Sequence, residues 1–385
     1  MANRISILVG LKNALEYTKL FYSSTRALYP DAEIVFVSYH SSDGTHEWLD
    51  SLSDDHLIYF YSAEEKTFSD TFNKCAELAT GEYVLFAHND MVLAPLFLEN
   101  VEKIVAKDRI VIYSTIEPPI FAGHKKEGKI IRDFGQDVVS VRIPEIYSFV
   151  KDYRSGLVSS HLKAEQGSFF MCLDRATFLG VGGLDPLFNP MFCEDDDLLL
   201  RLKLFGLQVY VSLDSLCYHF VSKTSRFSDE YRLRTEMIER HSQRNFIRKW
   251  RFPINAAQQA TYDVGIVIVN CTYEVLEMME PWGVCIYTDC DASKYIIDEQ
   301  PKTAIDLGLR IRQLSDIKDH DVVVRIDSKK LNGRSLRKLS RLDKLINREI
   351  LGQSNFFRKL LPGLKGVKIV VHKAEHYEHQ LIKRI

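Results

Sequence analysis

Short apolar runs and stretches with helical spacing alternate through the first hundred residues. "RISILVG" reads as a strand, and "ALEYTKLFYSSTRALYP" as a helix stopped by Pro30. "AEIVFVSY" is a second strand, followed by the polar turn "HSSDGT" and a short helix, "HEWLDSL". "HLIYFY" is a third strand, "FSDTFNKCAELATG" a helix ending at Gly81, and "EYVLFA" a fourth strand closed by "HND". A helix follows Pro95 in "PLFLENVEKIVA". This βαβαβα rhythm predicts a mostly parallel sheet covered by helices, with ligands at the carboxyl ends of the strands. The turns "HSSDGT" and "HND" both lie at such ends.

The pattern then weakens. Residues 116–165 read as irregular. "QGSFFMCL" returns as a strand, a Gly- and Pro-rich loop "GVGGLDPLFNPMF" leads into "CEDDDLLLRLKLFG", and "LQVYVSL" is a further strand before "CYHF". Ser228–Trp250 reads as a polar helix. A second α/β unit is expected from the strand-like runs "DVGIVIVN", "GVCIYT", "DVVVRID" and "GVKIVV". The expected organisation is therefore a first domain over 1–250, a linker over 251–261 and a smaller α/β domain over 262–385. No phosphate-binding glycine fingerprint marks the second domain.

Composition changes this picture little. The 385 residues are 46% apolar and 26% charged with a formal net charge of −2, so the whole molecule carries no strong electrostatic message. The seven cysteines form no C-x-x-C pair, which argues against a zinc knuckle or disulfide framework and fits a reducing compartment. No leader-like start and no apolar run of membrane-spanning length is visible, and the expectation is a cytoplasmic protein. Charge is uneven, however: from Lys329 to Ile385 there are 15 Lys or Arg against 4 Asp or Glu. The amphipathic basic stretch there suggests either a solvated helix face or peripheral contact with an anionic membrane. No nucleic-acid-reading module is recognisable, and a homodimer is compatible with the sequence.

The chemistry concentrates at two acidic places. In "HND", His88 and Asp90 are two residues apart at a strand end, so both side chains can face one site and hold a divalent cation. Asp43 in "SSDGT" fits a turn or helix-cap residue equally well. The second place is Glu194, Asp195, Asp196 and Asp197, four consecutive acids opening an apolar helix. The helix dipole favours one or two acids in a first turn, but four repel one another.

Taken in order, these blocks resemble the GT-A glycosyltransferases of glycosyltransferase family 2, over about residues 4–250. The strand-end turn "VGLKN" matches at Asn13 alone; "VSYHSSDGTHEWL" matches the acidic turn of the second strand. "NKCAELATGEYVLF" matches at Asn73, Ala79, Gly81, Glu82 and Tyr83; "HND" stands at the metal motif; "GGLDPLFNPMFCEDDDLLLR" matches the glycine loop and acidic helix; and His219 matches a strand-end histidine. The resemblance implies an α/β GT-A domain with a Rossmann-like mixed sheet, and an inverting transfer of sugar from a nucleotide-diphosphate sugar, UDP-sugar favoured. The acceptor would be a hydroxyl of a glycan, a lipid-linked molecule or a protein, as in polysaccharide biosynthesis. It implies Asp195 as general base with Glu194 helping to bind the acceptor, and Asp90, with His88 and His219, as ligands of Mn²⁺ or Mg²⁺. Asn13, Asp43, Asp70, Asn73, His88, Asn89, Lys223 and Arg226 would bind the nucleotide sugar, and Gly183, Asp185 and Glu194 would line the acceptor or sugar pocket. Asp197 and Arg201 are assigned to the helix and its packing. Two departures stand out: His88 replaces the first acid of the metal motif, which tilts the metal towards Mn²⁺, and Ser38 and Tyr39 stand where a base-contacting acid pair is common. The competing readings are a degenerate relative that binds nucleotide or glycan without turnover, and a nucleotidyltransferase.

Overall fold

The computed structural model describes residues 4–121, 127–221, 231–352 and 364–374. The chain forms two compact units, divided at Glu236/Met237.

Unit 1 contains ten strands: β1 (Ile5–Leu11), β2 (Glu33–Tyr39), β3 (Leu57–Ser62), β4 (Tyr83–His88), β5 (Met91–Leu93), β6 (Arg109–Glu117), β7 (Lys129–Ile131), β8 (His161–Ala164), β9 (Met171–Asp174) and β10 (Gln208–His219). They form one sheet in the order β3-β2-β1-β4-β9-β6-β10-β5, with β7 on β6 and β8 on β10. The first four strands of that order are parallel, as the βαβ rhythm predicts. β9 and β5 run antiparallel to their neighbours, so the sheet is mixed. Its helices are α1 (Leu15–Leu28), α2 (Thr45–Asp50), α3 (Phe68–Leu78), α4 (Phe97–Glu102), α5 (Ile143–Ser155), α6 (Arg175–Gly180) and α7 (Glu194–Leu204).

Successive residues of the central strands enter opposite cores. Leu8, Val35, Val37, Val84 and Phe86 pack on one face with α3, α6 and α7. Ile7, Val9, Ile34, Phe36 and Leu85 pack on the other with Phe21 and Phe97. Strands buried on both faces read as continuous apolar runs rather than alternating ones, which is how β1, β2 and β4 read in the sequence.

The stretch expected to be irregular is partly ordered. It includes the end of β6, then β7, β8 and the helix α5, whose Ile146 and Val150 are buried four residues apart on one face. Pro144 sits in the first turn of α5, where its missing N–H costs nothing.

The unit boundary also differs from the expected 250. The helix α8 (Thr235–Trp250) belongs to unit 2 from Met237 onward. Its Arg248 is fully buried and bonded to Glu280 and Glu299, and Arg244 bonds Glu299 and Tyr295. These ion pairs tie the helix to the second unit.

In unit 2, β11 (Val264–Val269), β12 (Cys285–Thr288), β14 (Val322–Asp327) and β15 (Val367–Val371) are the four expected strands, and β13 (Ile311–Gln313) is a short extra edge. The order is β13-β12-β11-β14-β15, parallel except for β15. The helices α9 (Tyr273–Met279), α10 (Ser293–Glu299), α11 (Leu307–Arg310), α12 (Gly333–Leu339) and α13 (Leu342–Gly352) complete it. Leu339, Leu342, Leu345 and Ile346 of the basic stretch are buried in this unit's own core, so that apolar face is not available to a membrane. Among the described residues no helix is long and apolar enough to cross a membrane. All seven cysteines are unbridged.

Candidate active site

The metal-motif residues lie where β4 ends and β5 begins. Alternation along the chain sends His88 and Asp90 one way and Asn89 the other. Asn89 is buried and its amide donates to Thr18 Oγ1 of α1, so it faces away from the expected nucleotide site. β10 pairs antiparallel with β5 at His219↔Met91, which brings His219 beside Asp90. His219 Nε2 lies 3.4 Å and His88 Nδ1 lies 3.8 Å from Asp90 Oδ1. One ligand atom from each of His88, Asp90 and His219 falls within 4.8 Å of the others.

A fourth residue joins them that sequence reasoning missed. β6 and β10 run parallel with Tyr218↔Ile116 in register, so Glu117 ends its strand beside His219. Glu117 Oε1 is 3.5 Å from His219 Nδ1, and Oε2 is 2.8 Å from Lys129 Nζ. The carboxylate also accepts from Thr115 Oγ1 at 2.9 Å. The available signal was an acid ending the β-rich run "RIVIYSTIE" immediately before two prolines.

Neighbouring carboxylates separate the two buried imidazoles electrically. Burial pushes His88 down to about 4, with the nearby His219 charge adding to the effect and Asp90 opposing it. His88 is therefore neutral at pH 7, the state that ligates metal. Burial opposes charge on His219 too, but Asp90 and Glu117 outweigh it and raise the group to about 9. Burial likewise works against the Glu117 carboxylate, and His219 and Lys129 outweigh it, holding the group at about 2. No hydrogen bond satisfies His88 Nε2 or either ring nitrogen of His219, although all are buried. Buried polar atoms are normally satisfied. Two imidazoles and a carboxylate with such atoms fit a divalent cation, and the set suits Mn²⁺ or another imidazole-tolerant metal better than Mg²⁺.

The acidic run is assembled separately. α7 starts after Phe192 and Cys193, two consecutive non-glycine residues in the left-handed region with φ of 76° and 72°. Backbone strain of this kind clusters at functional sites. Asp197 and Arg201 are fully buried and paired at 2.7 Å, and Arg201 donates to the carbonyls of Val181 at 3.0 Å and Gly183 at 2.6 Å. They lock the helix onto the glycine loop, the packing role expected of them. Glu194 is buried, and burial together with Asp195 raises its carboxyl well above the usual range. Both causes favour the protonated form of Glu194. Asp195 is half-buried on the same turn.

The remaining expected nucleotide residues hold this framework together. Asn73 uses both ends of its amide on the backbone of Leu184, and a Cβ at Gly183, where φ is +69°, would collide with Asn73 Oδ1. Asp70 caps α3 and accepts from Asn189 Nδ2 at 3.0 Å, which anchors the loop before the acidic run. Asp185 is buried and accepts from Leu187 N. Phe68 links the two parts: its N–H donates to Pro190 O at 3.4 Å, and its ring meets His88 edge-on at 5.9 Å. Asn13 and Asp43 stitch the turns after β1 and β2. Asn13 Oδ1 accepts from Ser42 N, and Asp43 accepts from Leu15 N, Thr45 N and Thr45 Oγ1. Asp43 thus caps helix starts, the bland alternative for that residue. Lys223 and Arg226 lie outside the described residues.

Residues 6–162 match the family model for glycosyl transferase family 2. Over those residues the chain is similar to glycosyl transferase family 2. The mixed sheet of unit 1 is the GT-A fold expected from the resemblance. No curated protein matches the sequence. Among solved structures, the chain is similar to GalNAc-T7 with UDP, GalNAc and Mn²⁺, at 14% identity and TM-score 0.43, covering 56% of this chain and 44% of that one. It is similar to the mannosyltransferase PcManGT from Pyrobaculum calidifontis with GDP-Man and Mn²⁺, at 17% identity and TM-score 0.39, covering 57% and 58%. A third is S. aureus TarS 1-349, at 14% identity and TM-score 0.41, covering 63% and 69%. The chain thus spans less than two thirds of the length of the first two. At these TM-scores the likenesses carry no argument, and the likeness to family 2 rests on the match over residues 6–162.

Proposed function

We propose that unit 1 transfers a sugar from a nucleotide-diphosphate sugar to an acceptor hydroxyl with inversion at the anomeric carbon. The observation that carries this reading is the convergence of His88, Asp90 and His219 at the strand ends, linked through Phe68 to the loop that aims the acidic turn of α7. Asp90 and the neutral His88 would hold the divalent cation, Mn²⁺ by the donor set, and His219 would join them as binding displaces its Nε2 proton, with Glu117 orienting the ring through Nδ1. A divalent cation held there supplies positive charge against the pyrophosphate leaving group.

The chain's own residues do the rest. Asp195, half-buried and fixed on a helix N-terminal turn, takes the proton of the acceptor hydroxyl as that oxygen attacks. Glu194, buried and protonated, donates a hydrogen bond to the acceptor. Division of labour between neighbouring carboxyls by environment follows the general rule that burial keeps one protonated while the more exposed one stays ionised. Gly183 and Asp185 shape the adjoining pocket wall through the bonds that fix their loop. A UDP-sugar is the favoured donor, and the acceptor is a glycan, lipid-linked or protein hydroxyl.

The test is Asp195→Asn, assayed for turnover and for donor binding on the same preparation. General-base loss lowers turnover by about 10²–10⁴-fold, while donor affinity stays within about threefold, a difference below 1 kcal/mol. Turnover at the wild-type rate would remove Asp195 from the mechanism.

A further inference from the structure

Unit 2 holds a second chemical constellation, remote in sequence from the acids of unit 1. His320 precedes β14 and lies over Gly265 of β11, where any side chain would collide with the imidazole ring. Its Nδ1 is 2.8 Å from Asp263 Oδ1 and its Nε2 is 2.8 Å from Tyr287 Oη. Tyr287 Oη also accepts from Lys318 N at 3.2 Å. A phenol oxygen has two acceptor sites and one donor proton. With Lys318 and His320 both donating to it, the hydroxyl proton is left for another partner. Cys285, the first residue of β12, is paired in register with Gly265, over which His320 lies, and shares the strand face of Tyr287 two residues on, which places its sulfur beside the imidazole and the hydroxyl. Cys285 is half-buried, so its sulfur is reachable.

We propose that Cys285, with His320, Asp263 and Tyr287, forms a thiolate site that undergoes thiol–disulfide exchange with low-molecular-weight disulfides. Asp263 holds the imidazole in its doubly protonated form, both N–H groups being used, and the imidazolium and the phenol proton stabilise the sulfur anion. His320 is raised to about 11, chiefly by its bond to Asp263, and the Cys285 thiol is lowered, chiefly by the neighbouring His320. Arg312 on β13, Arg310 at the end of α11 and Arg251 just past α8 act on the sulfur as positive charges, Arg310 being paired with Glu280 at 3.0 Å. Asp263 is the carboxylate of the cluster, and it is screened from the sulfur by the imidazole. Cys271 gives the contrast within the same unit: burial and the neighbouring Cys290 push it up to about 12.

In the exchange step, the Cys285 thiolate attacks one sulfur of the disulfide RS–SR. A new Cys285–SR bond forms as the old S–S bond breaks, and the leaving RS⁻ takes a proton from water, His320 keeping both of its own beside Asp263. No external oxidant or reductant is needed. A thiolate in this setting reacts at pH values where ordinary thiols are protonated and inert.

The experiment is timed alkylation of the full chain by iodoacetamide at pH 6 and pH 8, with each cysteine quantified by peptide mass spectrometry, followed by incubation with glutathione disulfide. An ordinary thiol slows about tenfold for each pH unit below its pKa. The expected result is that Cys285 reacts first and that its advantage over Cys271 and Cys290 grows at least about tenfold from pH 8 to pH 6. Glutathione disulfide is expected to add one glutathionyl group at Cys285 and release one glutathione. Asp263→Asn, which alters a partly exposed residue, is expected to slow Cys285 about tenfold at pH 6 and leave the other cysteines unchanged. Tyr287→Phe is the second variant, with circular dichroism confirming the fold of each. A Cys285 rate that falls with pH in step with Cys271 and Cys290, a folded Asp263→Asn chain with the wild-type rate, or no mixed disulfide at Cys285 would each overturn the proposal.

Discussion

Asp197→Ala separates two explanations for the acids at the start of α7. If Asp197 only complements the helix dipole, its loss costs about 0.3–1 kcal/mol. The structure assigns it a larger role. Asp197 and Arg201 are both fully buried, and the carboxylate lies 2.7 Å from Arg201 Nε. Removing it strands a guanidinium in the core, and breaking a buried pair in this way costs about 3–5 kcal/mol. The carbonyls of Val181 and Gly183 still accept from Arg201, which places the expected loss near the lower end, about 3 kcal/mol. Guanidinium unfolding followed by far-UV circular dichroism reads the difference directly. Asp196→Ala, a half-exposed acid of the same turn, is the internal comparison and is expected to cost about 0.5 kcal/mol. The double variant Asp197→Leu with Arg201→Met should recover much of the loss, because no buried charge is left behind. A loss below about 1 kcal/mol in Asp197→Ala would refute the ion-pair reasoning and return all four acids to the dipole.

Glu117→Gln keeps the shape but removes the charge that orients His219, and loss of such an outer partner is expected to weaken Mn²⁺ affinity by about 10–100-fold in a calorimetric titration. Gly183→Ala forces a side chain into the left-handed region against Asn73 Oδ1, with an expected cost of at least about 1–2 kcal/mol in the same unfolding assay. Unit 2 should lose stability in acid through Glu299: burial opposes its charge, but Arg244 and Arg248 outweigh burial and hold it at about 2 against an ordinary 4.5. A depressed carboxyl stabilises the fold fully above its unfolded value and loses that contribution as pH falls from about 4.5 to 2, so Glu299→Gln should flatten the pH–stability curve in that window.

The parallel half of the first sheet was legible because strands buried on both faces leave uninterrupted apolar runs, as in "RISILVG" and "EYVLFA". The strands of unit 2 were legible for the same reason. β5, β7 and β13 were not, since three residues are too few to show a period. The metal cluster was half legible. His88 and Asp90 announce themselves by spacing and His219 is named through the resemblance, but their approach is set by register: β10 against β5 brings His219 in, and β6 against β10 adds Glu117, which the sequence did not mark. Asn73, Asp70 and Asp43 show the opposite limit. Their positions were visible in the sequence, but the bonds that engage them with Leu184, Asn189 and Leu15 N depend on loops brought in from elsewhere in the fold. Cys285 was unreadable from its surroundings in sequence, because His320 and Asp263 reach it from 35 and 22 positions away through the pairing of β11, β12 and β14.

The measurement that tests the central claim most directly is turnover and thermal stabilisation with UDP-, GDP-, dTDP- and CMP-sugars, each with Mn²⁺, Mg²⁺ or EDTA, on the wild-type chain and on Asp90→Ala. The account predicts one donor class, UDP-sugar favoured, that stabilises the wild type and is turned over with Mn²⁺, with both effects lost in EDTA and in Asp90→Ala. Donor turnover that is unchanged by EDTA and by Asp90→Ala, or no response to any donor, would contradict the assignment of the strand-end cluster as the metal-dependent nucleotide-sugar site.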